Sequence, residues 1–153
     1  MDLCTVAELK STTGRILGVD FGDTRTGLAL SDPSRFLASG IGYISPGGIE
    51  KTAAAVASLA TEKGATAIVV GLPRNMDGSE GFRAARCREF ATLVAARLLE
   101  IPVAMMDERL TTVTAARYLN ETNTRGKDRK AVIDTLSAQI ILQNALDRLK
   151  NVN

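Results

Sequence analysis

Residues 15–31 read RILGVDFGDTRTGLALS, and this stretch decides how the fold begins. Two short apolar runs, Arg15–Phe21 and Thr26–Ser31, are separated by the turn-forming residues Gly22–Arg25. Two such runs joined by a short turn predict a β-hairpin. Phe36–Ile44 can add a third strand, which ends at a Ser-Pro-Gly-Gly segment. The chain therefore opens with three predicted antiparallel strands.

From Ile49 onward the pattern alternates between helices and strands. Apolar residues at helical spacing predict a helix from Ile49 that stops at Gly64. Ala65–Val70 is an apolar run with Thr66 as its one polar residue, which is typical of a parallel strand that is buried on both faces. A second helix is predicted over about Ser79–Glu100, and Ile101–Met106 is predicted as the next strand.

The C-terminal third is predicted to be helical. A short helix is expected over Thr112–Asn120, a polar loop over Glu121–Asp128 and a long helix over about Arg129–Leu149. The order βββαβαβαα predicts an α/β domain over residues 15–150, with a mixed five-stranded sheet flanked by helices. Right-handed crossovers place the first strand at the centre of that sheet. We expect residues 1–14 to be a flexible leader.

Composition limits the function classes. The chain has 153 residues, of which 45% are hydrophobic and 24% charged, as expected for one globular domain. No apolar run approaches the roughly 20 residues that a membrane span requires, and the N-terminus lacks a signal-peptide pattern. We therefore expect a cytoplasmic protein with no membrane partner. Its two cysteines are expected to be free thiols.

The sequence contains no histidine, and its net charge is only +2. Without histidine there is no Ser-His-Asp triad and no imidazole ligand for zinc. The net charge favours neither presence nor absence of nucleic-acid binding, because phosphate contacts depend on where Lys and Arg lie.

Two candidate sites follow predicted strands. Asp20 ends the first strand, where its carboxylate could bind a metal or merely cap a turn. The loop Gly71–Ser79 follows the buried strand. Its Arg74 and backbone N–H groups could bind an anion, with Ser79 as a helix N-cap, or the loop could be a plain turn.

Two further candidate sites lie later in the chain. Asp107 and Glu108 end the last strand, and adjacent strand residues point to opposite faces, so only one of them would face a given site. They could equally be a charged strand end. Asp134 begins a small and apolar stripe on the last helix, where its charge needs a partner, either a divalent cation or Lys130.

Taken together, these positions indicate a metal site. The strand ends that carry Asp20 and Glu108 fall at the same edge of the sheet, which is where open α/β sheets bind ligands. With Asp134, they make an oxygen-only set that suits Mg²⁺ or Mn²⁺ better than zinc. Metal ions held in this way can support phosphodiester hydrolysis.

Four motifs in order resemble the YqgF family, also called RuvX, whose members are described as Holliday junction resolvases and as pre-16S rRNA nucleases. They are GVDFGDTRTGLALSD (18–32), VGLPRNMDGS (70–79), DERLTT (107–112) and DTLSAQIILQ (134–143). The resemblance spans about residues 15–149. It implies an RNase H-like fold, a bacterial cytoplasmic setting and maturation of the 5′ end of 16S rRNA.

The resemblance also assigns residues. Asp20, Glu108 and Asp134 take the family's acidic, metal-binding and catalytic positions. RuvC-type enzymes carry an acid at the end of the strand that corresponds to Ala65–Val70, where this chain has Gly-Leu-Pro, so the second acid must be Glu108 or Asp107. The residues expected to contact substrate are Arg25, Arg74, Asn75, Arg109, Thr111 and Lys130.

The expected partners are structured RNA or branched DNA, and ribosomal precursor particles. One alternative is a Holliday junction resolvase, which would need a dimer; the sequence does not decide between monomer and homodimer. An actin-like kinase also carries Asp-x-Gly after its first strand, but it needs two such domains. A third alternative is an RNA-binding ribosome-assembly factor without catalysis. The loop 121–128 could close over substrate or be a solvated connection.

Overall fold

A six-stranded mixed sheet lies between helices in the computed structural model of the chain, which describes residues 3–108 and 126–151, with side chains given from residue 133 in the second segment. The strands are β1 Cys4–Thr5, β2 Ile16–Asp20, β3 Thr26–Ser31, β4 Ala38–Ile44, β5 Ala67–Leu72 and β6 Val103–Asp107. The helices are α1 Ile49–Glu62, α2 Phe82–Arg97 and α3 Gly126–Lys150, and a 3₁₀ turn covers Ala7–Ser11.

The strand order is β1-β6-β5-β2-β3-β4, so β2 lies at the centre, as predicted. The strands β2, β3 and β4 pair antiparallel, whereas β5 and β6 run parallel to β2. The predicted α/β class and the change from antiparallel to parallel pairing are confirmed. Since β2, β5 and β6 are parallel, their carboxyl ends meet at one edge of the sheet.

The strand count and the leader were predicted incorrectly. Instead of five strands, the part of the chain that the structure describes forms six, because Cys4 and Thr5 pair with Ala104 and Met105 at the edge of the sheet. Instead of a loose leader, residues 4–11 pack against the domain, and Leu9 is fully buried. The cause is long-range burial of a few apolar side chains, which local sequence patterns do not report.

Two helix boundaries also differ from the prediction. Ser79 does not cap α2. Its backbone N–H and hydroxyl both donate to Asp77 Oδ1, and the helix starts after Gly81. The described part of the last helix starts at Gly126, so residues 126–128 are helical rather than part of a loop. The predicted helix at 112–120 and the rest of that loop lie outside the described residues.

The core has two layers. On one face of the sheet, α1 and α2 pack on residues such as Leu17, Val19 and Val70. On the other face, α3 packs on residues such as Ile16 and Val69. No helix among the described residues is both long enough and apolar enough to cross a bilayer. Cys4 and Cys87 are free thiols, as predicted.

Helix α3 lies directly on the backbone of the central strand because Gly18 has no side chain. A Cβ at Gly18 would lie 2.6 Å from Leu142 Cβ and 3.2 Å from the carbonyl oxygen of Ala138. This close approach brings the start of α3, and Asp134 with it, to the carboxyl edge of the sheet.

We predict that Gly18→Ala lowers the free energy of unfolding by about 1 to 3 kcal/mol, because the added methyl group forces α3 away from β2. Urea unfolding followed by circular dichroism measures this. Gly81→Ala is the matched control, since the nearest atom to its added Cβ is 3.9 Å away. It should cost no more than about 1 kcal/mol, the preference for glycine over alanine at a helix N-cap. Equal losses in the two variants would contradict the packing argument.

Candidate active site at the carboxyl edge of the sheet

Side-chain alternation separates the two adjacent acids at the end of β6. Met106 contributes to the core beneath α3, so Glu108, two residues further on, points to the same side, whereas Asp107 points to the opposite face. Asp107 Oδ2 lies 4.0 Å from Arg74 Nη1. Glu108, in contrast, hydrogen-bonds to the side chain of Asp20. Between the two acids that the sequence left open, Glu108 is therefore the one beside Asp20.

Gly71 on β5 lies between the strands that carry these two carboxylates. A Cβ at Gly71 would lie 2.9 Å from Glu108 Cδ and 2.5 Å from Ile141 Cδ1. The Glu108 side chain thus occupies the space that a residue-71 side chain would fill. The absence of an acid at the end of β5 is what allows an acid from β6 to reach Asp20 on β2.

The Asp20 and Glu108 carboxyl groups hold excess negative charge in a largely buried place. Burial, and after it the nearby charges of Glu108 and Asp134, together raise the pKa of Asp20 to about 8. Burial also raises the pKa of Glu108. At neutral pH, one carboxyl group of this pair therefore holds a proton. A cation that replaced the proton would remove the repulsion.

Among the described residues, Arg83 is a cation that opposes this repulsion, and sequence reasoning missed it. Its positive charge lowers the pKa of both Asp20 and Glu108. Arg83 is exposed in the first turn of α2, which starts at the same edge of the sheet. The position of Arg83 in the sequence could have indicated this role. The helix after β5 must begin near the carboxyl edge of the sheet, so basic residues in its first turn lie close to the acids.

Asp134 lies in the N-terminal half of α3, and its backbone contacts Gly27 of β3. Its Oδ2 accepts a hydrogen bond from Arg25 Nε at 2.7 Å, and about a quarter of each side chain is exposed. The partner seen for Asp134 is thus Arg25, from the β2–β3 hairpin turn. The predicted phosphate contact of Arg25 would compete with this ion pair.

The three predicted metal ligands, Asp20, Glu108 and Asp134, therefore lie in one region. Their carboxyl groups do not converge on a common point. Asp20 and Glu108 touch, and Asp134 is near enough to act on the pKa of Asp20. Over residues 3–108 and 133–151, however, no three acidic or cysteine side chains converge tightly enough to hold a metal ion. Asp134 is turned onto Arg25 instead. Metal binding by these residues remains a prediction.

The loop after β5 is held by contacts within itself. Asn75 Nδ2 donates to Ser79 Oγ at 3.0 Å, and Arg74 Nη2 lies 3.5 Å from Glu80 Oε2. The predicted phosphate contacts of Arg74 and Asn75 stay predictions. Arg109 and Thr111 lie outside the described residues. Lys130 lies on α3, but its side chain also falls outside the described part.

The mixed sheet, antiparallel over β2 to β4 and parallel over β2, β5 and β6, with α3 across one face, is an RNase H-like fold. Solved structures of that class resemble this one. RuvC of T. thermophilus, in complex with a Holliday junction substrate, superposes with a TM-score of 0.59 at 13% identity, over 92% of this chain and 98% of that one. The fowlpox virus Holliday junction resolvase gives 0.54 at 11% identity, over 90% and 99%. The RNase H-like fold is thereby confirmed.

The chain belongs to the RuvX family, whose model, described as "RuvX: Holliday junction resolvase", matches residues 14–148. A relative from Rhodopseudomonas palustris (strain BisA53) is 45% identical over 92% of this chain and 86% of that protein. One from Ruminiclostridium cellulolyticum is 40% identical over 88% and 95%. Both carry the name "Putative pre-16S rRNA nuclease". The family assigned from the four motifs is thus confirmed.

The raised pKa of Asp20 predicts a stability that falls as the pH rises. The folded-state pKa of about 8 lies above the usual 3.8, so between these values the folded protein holds a proton that the unfolded chain has released. This contribution is complete below about pH 4, falls progressively as the pH rises toward 8 and is gone above it. In EDTA, we expect wild type to lose about 1 to 3 kcal/mol more than Asp20→Asn between pH 5 and pH 9.

Urea unfolding at each pH measures that difference, and Asp147→Asn, an exposed position on α3, serves as the control. The control should follow the wild-type profile. Parallel profiles for wild type and Asp20→Asn would show that Asp20 has no perturbed pKa.

Proposed function

We propose that this protein is a divalent-metal-dependent nuclease that hydrolyses a phosphodiester bond in the precursor of 16S rRNA. The observation that carries the proposal is the contact between the carboxyl groups of Asp20 and Glu108 beside Asp134. Family membership supports a nuclease, and the names of the relatives favour precursor rRNA as the substrate. With such a substrate, the protein would act in the bacterial cytoplasm, on ribosomal precursor particles.

The residues at this edge fit Mg²⁺ or Mn²⁺. The available donors are carboxylate oxygens, which these hard cations prefer, and the chain has no histidine to favour zinc. The largely buried pair also carries a repulsion that raises the pKa of Asp20, and a cation would relieve it. Asp20 and Glu108 would hold the metal, and Asp134 would complete the set. The bound metal would supply an activated water and charge stabilisation at phosphorus.

Among the described residues, Arg25 and Arg83 are cations that act on these acids. A substrate phosphate that approached Arg25 would offer it an anionic partner in place of Asp134, which would free the Asp134 carboxylate. Arg83 would remain near Asp20 and Glu108 and would attract the same phosphate. Contacts of this kind position a nucleic acid without reading its sequence, so selectivity would come from RNA shape or from the ribosomal particle.

Cleavage of branched DNA is the second candidate, because the family description and the structural neighbours name Holliday junctions. The two candidates are separated by offering the protein a 5′-extended 16S rRNA precursor and a four-way DNA junction under the same conditions. Cleavage of the precursor alone supports the proposal. Cleavage of the junction alone would replace it with the resolvase, and cleavage of neither would favour a ribosome-assembly factor without catalysis.

We predict that Asp20→Asn and Glu108→Gln each lower the Mn²⁺-dependent cleavage rate by more than about 100-fold, because each removes a charged metal ligand and keeps its shape. Single-turnover assays on the precursor measure the rate. Asp147→Asn should retain the wild-type rate. Unchanged cleavage by Asp20→Asn would overturn the catalytic assignment.

We predict that Arg25→Gln binds Mn²⁺ more tightly than wild type by roughly two- to fivefold in the absence of nucleic acid, since Asp134 loses a competing cation. Isothermal titration calorimetry measures this affinity. Arg86→Gln is the matched control, because it breaks an ion pair of 2.8 Å to Asp23 in the same hairpin turn. Weaker Mn²⁺ binding by Arg25→Gln would mean that Arg25 holds Asp134 in its ligating position.

A further inference from the structure

We propose that a cavity at the β1–β6 edge of the sheet binds the phosphate groups of a single nucleic-acid strand as it leaves the candidate active site. This cavity, here called the edge groove, has a volume of about 510 Å³. It is lined by Arg74 after β5, Arg88 on α2 and Arg148 on α3, together with Asp107 and the backbone around β1. The inference rests on the proposed nuclease function and extends it to a second phosphate-binding region.

The edge groove exists because β1 is very short. Its two residues pair with Ala104 and Met105, and the chain then turns away into the 3₁₀ segment. The end of β6, at Met106 and Asp107, therefore has no neighbouring strand on its outer side in the part of the chain that the structure describes. The space left at this edge is a concave notch rather than a flat surface.

The charges around the edge groove favour an anion. Three guanidinium groups line it against one lining carboxylate, that of Asp107. Arg88 is well matched by Glu80, with Nε and Nη2 donating at 2.6 and 2.7 Å. Within residues 3–108 and 133–151, Arg74 has only the longer ion pairs of 3.5 and 4.0 Å to Glu80 and Asp107. The positive charge that is least neutralised in the groove is therefore that of Arg74 and Arg148. Arg148 is exposed in the last turn of α3.

Arg74 also has unmet hydrogen-bonding capacity. Its Nε is buried and has no hydrogen-bond partner among the described residues, although a buried donor without a partner costs about 1 to 3 kcal/mol. A guanidinium group presents its donors as a planar fork that matches two oxygens of a phosphate. A phosphate in the edge groove would accept hydrogen bonds from the guanidinium of Arg74, and a shift of that group toward the phosphate would also give Nε a partner.

The position of the edge groove connects it to the candidate site. Leu72 and Asp107, which both line it, are partners in the β5–β6 register, and Glu108 is the next residue along the chain. A strand whose reacting phosphate lay at Asp20 and Glu108 would reach the groove by passing over the end of β6. A concave notch fits one extended strand, whereas double-stranded RNA presents a wide, shallow minor groove that protruding elements contact.

The test measures binding of fluorescein-labelled single-stranded RNA by anisotropy in EDTA, where no metal-dependent cleavage occurs. We expect Arg74→Gln/Arg148→Gln to bind a 12-nucleotide RNA about tenfold more weakly than wild type, with the slope of log K against log salt smaller by about 1 to 2. Arg97→Gln, at the C-terminal end of α2 and outside the groove, should bind the 12-mer like wild type.

A second variant, Arg148→Gln, and inorganic phosphate as a competitor distinguish the possible outcomes of this test. Because Arg74 is partly buried, Arg148→Gln alone is also measured, and it should weaken 12-mer binding by about two- to threefold. Inorganic phosphate should not displace the RNA at equal ionic strength, whereas displacement at millimolar concentration would reassign the groove to a free phosphate. Wild-type affinity and salt slope in both variants would overturn the proposal. Because the assay measures binding without cleavage, its result can be interpreted even if the nuclease assay fails.

Discussion

Two carboxyl groups, Asp20 at the end of β2 and Glu108 after β6, meet above the bare backbone of Gly71, and the functional account depends on this contact. Like charges in a largely buried place repel each other, so the contact persists only with a shared proton or a bound cation. The pKa of Asp20, raised to about 8, expresses that requirement. A site that binds a proton so strongly at neutral pH has the electrostatic properties that a divalent cation needs.

The scaffold places these groups through residues that have no side chain. Gly18 lets α3 lie directly on β2, Gly27 receives the backbone of Asp134, and Gly71 leaves room for Glu108. All three face α3, on the same side of the sheet as the acids. Arg25 and Arg83 then balance part of the negative charge, Arg25 through a 2.7 Å hydrogen bond to Asp134. Close packing and the candidate chemistry therefore depend on the same strand ends.

Local patterns in the sequence were sufficient to predict the central sheet. The apolar run at residues 65–70 and the two strands of the hairpin at 15–31 can each be recognised from their own residues, without knowledge of distant contacts. Strand alternation also anticipated that only one of Asp107 and Glu108 could face the site. Other features depend on contacts between distant segments: β1 pairs with β6, Arg83 reaches the acids from α2, and Asp134 pairs with Arg25. At Ser79, a turn with Asp77 replaced the expected helix cap. The turn and the cap each depend on short local hydrogen bonds of similar energy, so the sequence pattern does not decide between them.

The central claim is that Asp20, Glu108 and Asp134 together hold a divalent cation, and anomalous diffraction from crystals soaked in Mn²⁺ tests it most directly. We predict one strong peak at the carboxyl edge, with oxygens of Asp20 and Glu108 about 2.0 to 2.3 Å from the ion and Asp134 turned from Arg25 toward it. An Asp20–Glu108 hydrogen bond that persists at saturating Mn²⁺, with the ion bound elsewhere, would contradict the account.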